Sequence, residues 1–465
     1  MTNVFLLLHF YYLYMKILIL GGVAAGAKAA AKSRRLLPDA EINLYTDDNH
    51  ISYSSCGLPY YIEGNFEDYR QLLVRSPEEF EAIGVHVHLR SKAIKILPKY
   101  NQVLIEKPDD NRVILAEYDK LIIATGARPI IPPIKNVNLK NIFTLRKIED
   151  GIAIKDIALK SKRVVIVGGG YIGLELLEAF VRQNLHVILF EYGPRLMKRF
   201  DEEISEIIYN QLMAVSEDRY EIYTSEAVVE FSGDISGVKY VKTSKGREIE
   251  TDFVVIASGV KPNSEIAKDA GIEVGVSDAI KVNDKMQTNF ENIYACGDCC
   301  EDNFMISDTP GWFPLGSTAN KEGRTAAINA CGGEEKFRGV LGSAVTRCLS
   351  LTMSMTGLNK NDAEELHFDP ISVIVTKNDK VGFMPDVNNI TLKLTADKKS
   401  GQLLGCQAVG TGDADKRVNT VTTALLAGLT VKDFFNNDIT YAPPYSPTID
   451  PLLNAAQILL SKIDY

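Results

Sequence analysis

KRVVIVGGGYIG, residues 162–173, is the stretch on which the fold turns. A basic start leads into an aliphatic run, and three consecutive glycines precede Tyr171, Ile172 and Gly173. Such a run reads as a buried strand, a tight turn and the opening of a helix. Gly168, Gly170 and Gly173 fill the three glycine positions of the pattern G-x-G-x-x-G. Residues 15–26, MKILILGGVAAG, repeat the arrangement, and a second strand follows each copy at the distance a βαβ unit requires: EINLY at 41–45 and HVILFE at 186–191. One glycine fingerprint is a weak signal. Two in register, each flanked by strand and helix, define two dinucleotide-binding units in one chain.

The chemistry of the two turns differs. In the second, glycines let a pyrophosphate approach a helix N-terminus, where unpaired N–H groups and the helix dipole favour anions. Glu191 closes the following strand, where a carboxylate accepts both ribose hydroxyls of NADH and repels the 2′-phosphate of NADPH. Arg195 nearby weakens that preference, so NADH is the expected donor and NADPH the second candidate. The first turn reads Gly21-Gly22-Val23-Ala24-Ala25-Gly26, with valine in place of the middle glycine. The acidic residue expected after its second strand is displaced, which leaves Thr46 or Asp47 to bond a ribose.

The 465 residues exceed one ordinary core and suggest two to four domains. A formal charge of −9 argues against nucleic acid or an anionic membrane as partner, because either would need a basic face. Seven cysteines are odd in number and unevenly spaced, which suits a reducing cytoplasm better than a disulfide framework. Residues 1–14, MTNVFLLLHFYYLY, are too short to span a bilayer and lack the marks of a signal peptide, so they read as a mis-assigned start.

Three short blocks, LIIATGARP (121–129), FVVIASGVKP (253–262) and NIYACGD (292–298), read as strands ending in glycine turns and are expected to return to the first unit. Beyond about residue 340, alternating segments such as ISVIV and ITLKLTAD suggest an antiparallel sheet, and residues 420–429 read as a helix. The expected class is α/β: two Rossmann-like dinucleotide-binding domains and a C-terminal α+β domain. The boundaries are 15–134 with 266–339 for the first, 135–265 for the second and 340–465 for the third.

Between the glycine turns lies SYSSCGLPYY, residues 52–61, with one cysteine before a proline. Cys56 is expected near a helix start, which lowers a thiol's pKa. Hydride from NADH needs a flavin mediator to reach sulfur, so a lone thiol between two nucleotide units completes a two-electron relay. No second cysteine follows within a few residues, so the partner sulfur comes from outside, or Cys56 cycles through a sulfenic acid.

With these motifs the chain resembles the FAD-dependent pyridine nucleotide–disulfide oxidoreductases, in the single-cysteine branch that holds coenzyme A disulfide reductase, NADH oxidase and NADH peroxidase. The likeness covers residues 15–465 and rests on Ser52-Tyr53-x-x-Cys56-Gly57-Leu58-Pro59-Tyr60, ATGARP with Thr125 and Gly126, GGGYIGLE, NIYACGD and Tyr441-Ala442-Pro443-Pro444-Tyr445-Ser446-Pro447. It implies FAD on the first unit, with Asp298 holding its ribityl chain, and NADH on the second, with Tyr171 gating the nicotinamide face beside Glu175. It implies Cys56 as the redox centre, Arg35, Ser52, Ser55 and Asn320 at positions that meet coenzyme A, and Tyr441 reaching the site of a partner subunit in a homodimer. Phe383 replaces a second active-site tyrosine, Ser55 an asparagine and Asn320 a histidine, which puts coenzyme A itself in question. Ala24 stands where peroxidases carry a histidine. No rhodanese-like extension is expected after Tyr465. The expected activity is reduction of coenzyme A disulfide, a persulfide or a polysulfide; NADH oxidase and a flavin redox sensor are the rivals. No metal is expected: Cys296-Gly-Asp-Cys299-Cys300 lacks a second ligand pair, and His86 with His88 reads as a solvated strand face. Trp312, the single tryptophan, suits either the site or the core.

Overall fold

The computed structural model describes residues 15–463 apart from 108 and 110; the expectation for 1–14 lies outside the described residues. The run KILIL forms strand Lys16–Leu20, whose Ile17 to Leu20 are almost wholly buried, as a strand covered on both faces must be. It pairs in parallel with Glu41–Tyr45 and Lys120–Ile123, and the sheet is completed by Val85–His88 and Ile293–Ala295 at its edges. Helix α1 (Ala24–Leu36) is alanine-rich, which lets it lie close to its neighbours.

A second five-stranded parallel sheet runs Tyr220–Tyr223, His186–Phe190, Arg163–Val167, Phe253–Ile256, Ile142–Thr144. FVVI therefore does not return to the first sheet. It pairs with the strand of the second glycine turn, Val164 opposite Phe253, before the chain crosses back. The C-terminal part is an antiparallel sheet in the order Ala344–Cys348, Leu351–Gly357, Leu403–Gly410, Asn389–Asp397, Pro370–Asn378. The helix expected over 420–429 spans Ala414–Leu426 instead. Val418, Val421 and Leu425 lie three to four residues apart on its buried face, and Gly428, at φ +66°, follows its end.

Buried charge joins the C-terminal sheet to the second unit. Lys393, 2% exposed, meets Asp201 and Glu203 at 3.0 Å each, and Gln407 donates to Asp201 at 2.9 Å. Among the described residues no helix is long and apolar enough to cross a membrane.

Candidate active site

Both glycine turns are built for close approach. Gly168 takes φ +118°, and a Cβ there would run into the Ala257 carbonyl; a Cβ on Gly173 would run into that of Gly168. A Cβ on Gly170 would meet only open space. In the first turn Gly21 takes φ +103°, and a Cβ on Gly26 would strike its carbonyl. Neither α1 nor α3 (Tyr171–Arg182) has a side-chain cap, which leaves their N-terminal N–H groups to meet an anion. Gly297 packs against Ala25, which sets the Asp298 turn beside the first turn of α1.

A cleft of ≈1120 Å³ opens between the two parallel sheets. Of the residues singled out in the sequence, Ser55, Cys56, Gly168, Gly170, Tyr171, Ile172, Glu175, Glu191 and Asp298 line it. Tyr171 lines this space, and its hydroxyl is buried without a protein partner. Glu191 is fixed over the second glycine turn, one oxygen accepting from the Gly169 N–H and the other from the Gly193 N–H, both at 2.7 Å. The glycine cradle, the uncapped helix ends and the unpartnered tyrosine hydroxyl fit a bound dinucleotide.

The other expected residues lie off the cleft. Thr46 is buried and accepts from the Asp48 N–H; Asp47 is exposed and faces Lys147 at 3.5 Å. Thr125 donates to the Asn263 carbonyl at 2.6 Å, and Gly126 sits under the Arg146 guanidinium. Ser52, at φ +50°, donates its N–H to the Gly22 carbonyl at 2.8 Å and so braces the first turn. Arg35 and Asn320 are exposed on α1 and on a later helix, and Tyr441 is half exposed in the C-terminal part.

Cys56 is the only exposed thiol of the seven. It occupies the turn Ser55–Gly57 that leads into α2 (Leu58–Glu63). The helix start is as expected; its effect on the thiol is not. Burial against the cleft walls pushes the Cys56 pKa up, and the carboxylates of Glu175 and Asp298 push it further. Arg146 and the Ser55 hydroxyl oppose them without prevailing. A six-residue helix offers too small a field to outweigh two anions.

Arg146 carried no signal in the sequence beyond being basic. Its guanidinium meets the Asp298 carboxylate at 3.0 Å, and it lines the cleft. Glu175 accepts from the Thr346 hydroxyl at 3.1 Å, and burial pushes its pKa up to about 7. Trp312 donates its indole N–H to the Asp298 carbonyl at 3.0 Å, so it supports the site rather than the core. Cys296, Cys299 and Cys300 are fully buried, and burial raises all three thiols. Among the described residues no group of three His, Cys, Asp or Glu side chains is placed to hold a metal ion. His88 is not solvated: it stacks on Tyr45, contacts Asn43 at 2.9 Å, and burial lowers its pKa to about 4.

A glycine cradle opening on a cleft that also holds the single exposed thiol, with a second cradle packed behind the Asp298 turn, defines a dinucleotide-dependent thiol oxidoreductase. The sequence profile of the pyridine nucleotide-disulphide oxidoreductases matches residues 15–323, and that of their dimerisation domain matches 344–452. The chain belongs to this family, and its cofactors are FAD and NAD(P)H. It is 36% identical to the NAD(P)H coenzyme A polysulfide/persulfide reductase of Pyrococcus horikoshii, over 96% of this chain and 98% of that protein. It is 33% identical to an NADH oxidase of Methanocaldococcus jannaschii, over 97% and 99%. The crystal structure of an NAD-dependent persulfide reductase from A. fulgidus superposes with a TM-score of 0.92 at 34% identity, covering 96% of this chain and 83% of that one.

Proposed function

We propose that the chain reduces coenzyme A disulfide, or a related persulfide or polysulfide, with NADH, through Cys56 in a homodimer. In this reading residues 15–134 with 266–339 hold FAD, 135–265 hold NAD(P)H, and 340–465 form the subunit interface. The observation that carries it is the placement of the one exposed thiol in the same cleft as Tyr171, Glu175 and Asp298.

FAD supplies the two-electron relay between pyridine ring and sulfur. The uncapped ends of α1 and α3 would hold the two pyrophosphates, Glu191 would take the ribose of NADH, and Tyr171 would stand where the nicotinamide must enter. As a thiolate, Cys56 Sγ attacks one sulfur of the incoming disulfide, breaks its S–S bond and keeps one half as a mixed disulfide, while the other half leaves as a thiolate and takes up one proton. Two electrons and a proton from NADH and solvent then free the second thiol and restore Cys56. Balance is NADH + H⁺ + RSSR → NAD⁺ + 2 RSH. Ser55 donates to the Cys56 sulfur and steadies it as a thiolate.

A long thiol ligand would extend from the cleft along α4. Ser317 lines the cleft, and Asn320, three residues on and on the same face of α4 (Gly316–Ala330), is exposed. Arg35 stands exposed on α1, which packs against α4, and suits a phosphate. Phe383, Tyr441, Tyr445 and Ile449 are exposed apolar side chains, on segments joined by the Val381 N–H to the Pro443 carbonyl, that a second copy would cover, and its Tyr441 would serve as proton donor to the leaving thiolate. The test is anaerobic turnover. Two thiols per NADH, lost in Cys56→Ser while reduction of the flavin by NADH persists, is the expected result. Turnover that needs oxygen and no disulfide would replace this reading with an NADH oxidase.

A further inference from the structure

Behind the flavin side of the cleft lie two carboxyls that the thiol chemistry does not use. Glu322, on α4, is 1% exposed, and Asp302 is 5% exposed. Each has one oxygen bonded outward. Glu322 Oε2 accepts from the Gly297 N–H at 2.6 Å and faces the Cys300 thiol at 3.5 Å. Asp302 Oδ2 accepts from the Phe313 N–H at 3.1 Å. The remaining oxygens, Glu322 Oε1 and Asp302 Oδ1, are buried and receive no donor, and the two side chains lie close enough for one carboxyl, once protonated, to bond the other. Two carboxylates cannot bond each other; a carboxylate and a carboxylic acid can.

The pair ties together both loops that hold Asp298. Gly297, anchored by Glu322, immediately precedes Asp298. Phe313, anchored by Asp302, immediately follows Trp312, whose indole N–H holds the Asp298 carbonyl. Pro314, Leu315 and Gly316, next along the chain, line the cleft with Asp298.

We propose that Glu322 and Asp302 share one proton and act as a positioning pair for Asp298, so that the flavin site keeps its shape only while that proton is present. The inference rests on the assignment of FAD to the first unit. Burial and the neighbouring Asp302 push Glu322 well above the usual carboxylate range, and burial pushes Asp302 up as well. Asp298 and Glu301 add negative charge beside Asp302, while the Phe313 N–H at Asp302 and the Gly297 N–H and Cys300 thiol at Glu322 favour the ionised forms. From α1 it is the Ala25 backbone that meets Gly323, the residue after Glu322. The support is complete below the ordinary carboxylate pKa and is lost as pH rises through the raised value of the pair. Its loss leaves two buried negative charges in contact and both loops pushed apart.

Trp312 supplies the readout, because it is the only tryptophan and touches Asp298. The full chain stripped of flavin is titrated with FAD while Trp312 emission is followed, from neutral to alkaline pH, in the wild type and in Glu322→Gln. The glutamine amide donates to Asp302 permanently and still accepts from Gly297. The wild type is expected to lose affinity by up to about tenfold per pH unit on the alkaline side, the limit for one linked proton, and Glu322→Gln is expected to lose none of it. Glu322→Ala, with neither bond, binds FAD at least about tenfold more weakly at every pH. Identical pH profiles in the wild type and Glu322→Gln would overturn the shared proton, as would a folded Glu322→Gln that holds no FAD. Failure of the wild type to quench with FAD at neutral pH would instead remove the flavin assignment and the inference with it.

Discussion

Glu175→Gln tests the electrostatics around Cys56. The Glu175 carboxyl titrates at about 7 and ranks ahead of Asp298 among the charges that raise the Cys56 thiol. Above that pH it is an anion facing the sulfur; below it the charge is gone. At an effective dielectric of ~20, unit charges ~10 Å apart interact by about 1.7 kcal/mol, a little over one pKa unit. Solvent in the open cleft reduces this to roughly half a unit to one unit. The glutamine keeps the bond from Thr346 and removes the charge, so the apparent Cys56 pKa falls by that amount. At a pH below that pKa the thiolate population rises by about three- to tenfold. The assay is the rate of iodoacetamide alkylation at Cys56 against pH, with the site read by peptide mass. The buried thiols stay silent because burial raises them all. Asp298→Asn should shift the curve less. An unchanged profile, an upward shift or the reverse order would refute the account.

Three further outcomes follow from the geometry. Gly26→Ala drives a Cβ into the Gly21 carbonyl, so it should abolish FAD retention and cost about 1–3 kcal/mol in urea unfolding. Glu191→Ala removes the acceptor for two backbone N–H groups and for the ribose; KM for NADH should rise about tenfold to a hundredfold with kcat little changed, in steady-state kinetics. Lys393→Met strands Asp201 as a buried anion and should destabilise the chain by about 3–5 kcal/mol, or toward the lower figure because Glu203 is half exposed; an unchanged denaturation midpoint would refute it.

The turns at 21–26 and 168–173 were legible because a positive φ and a blocked Cβ leave glycine as the one choice, and that constraint acts within a few residues. What depends on distant chain was not. FVVI reads as a buried strand anywhere, and only its pairing with Arg163–Val167 assigns it to the second sheet. His88 looked solvated because alternation marks a face without saying what covers it, and Tyr45 of the neighbouring strand does. The helix begun at Ala414 hides in ADKRVNT, where Ala414 and Val418 pack inward together with a charged residue, Arg417, that is buried on Asp450. Cys56 shows the limit most clearly. Its helix position was local and readable, yet the charges that set its ionisation come from residues 146, 175 and 298.

Those same three charges make a prediction of opposite sign. Arg146 is the cation that opposes Glu175 and Asp298 at the Cys56 sulfur, and it also screens Asp298 at 3.0 Å. Arg146→Gln therefore acts twice in one direction, removing a positive charge and uncovering a negative one. The apparent Cys56 pKa should rise by at least about half a unit in the same alkylation assay. The double variant with Glu175→Gln should fall between the two single variants, near the sum of their shifts, because charges that do not touch one another add. A double variant that matches either single one would mean that the cleft wall had moved rather than the field within it, and backbone amide exchange around 55–63 would then change as well.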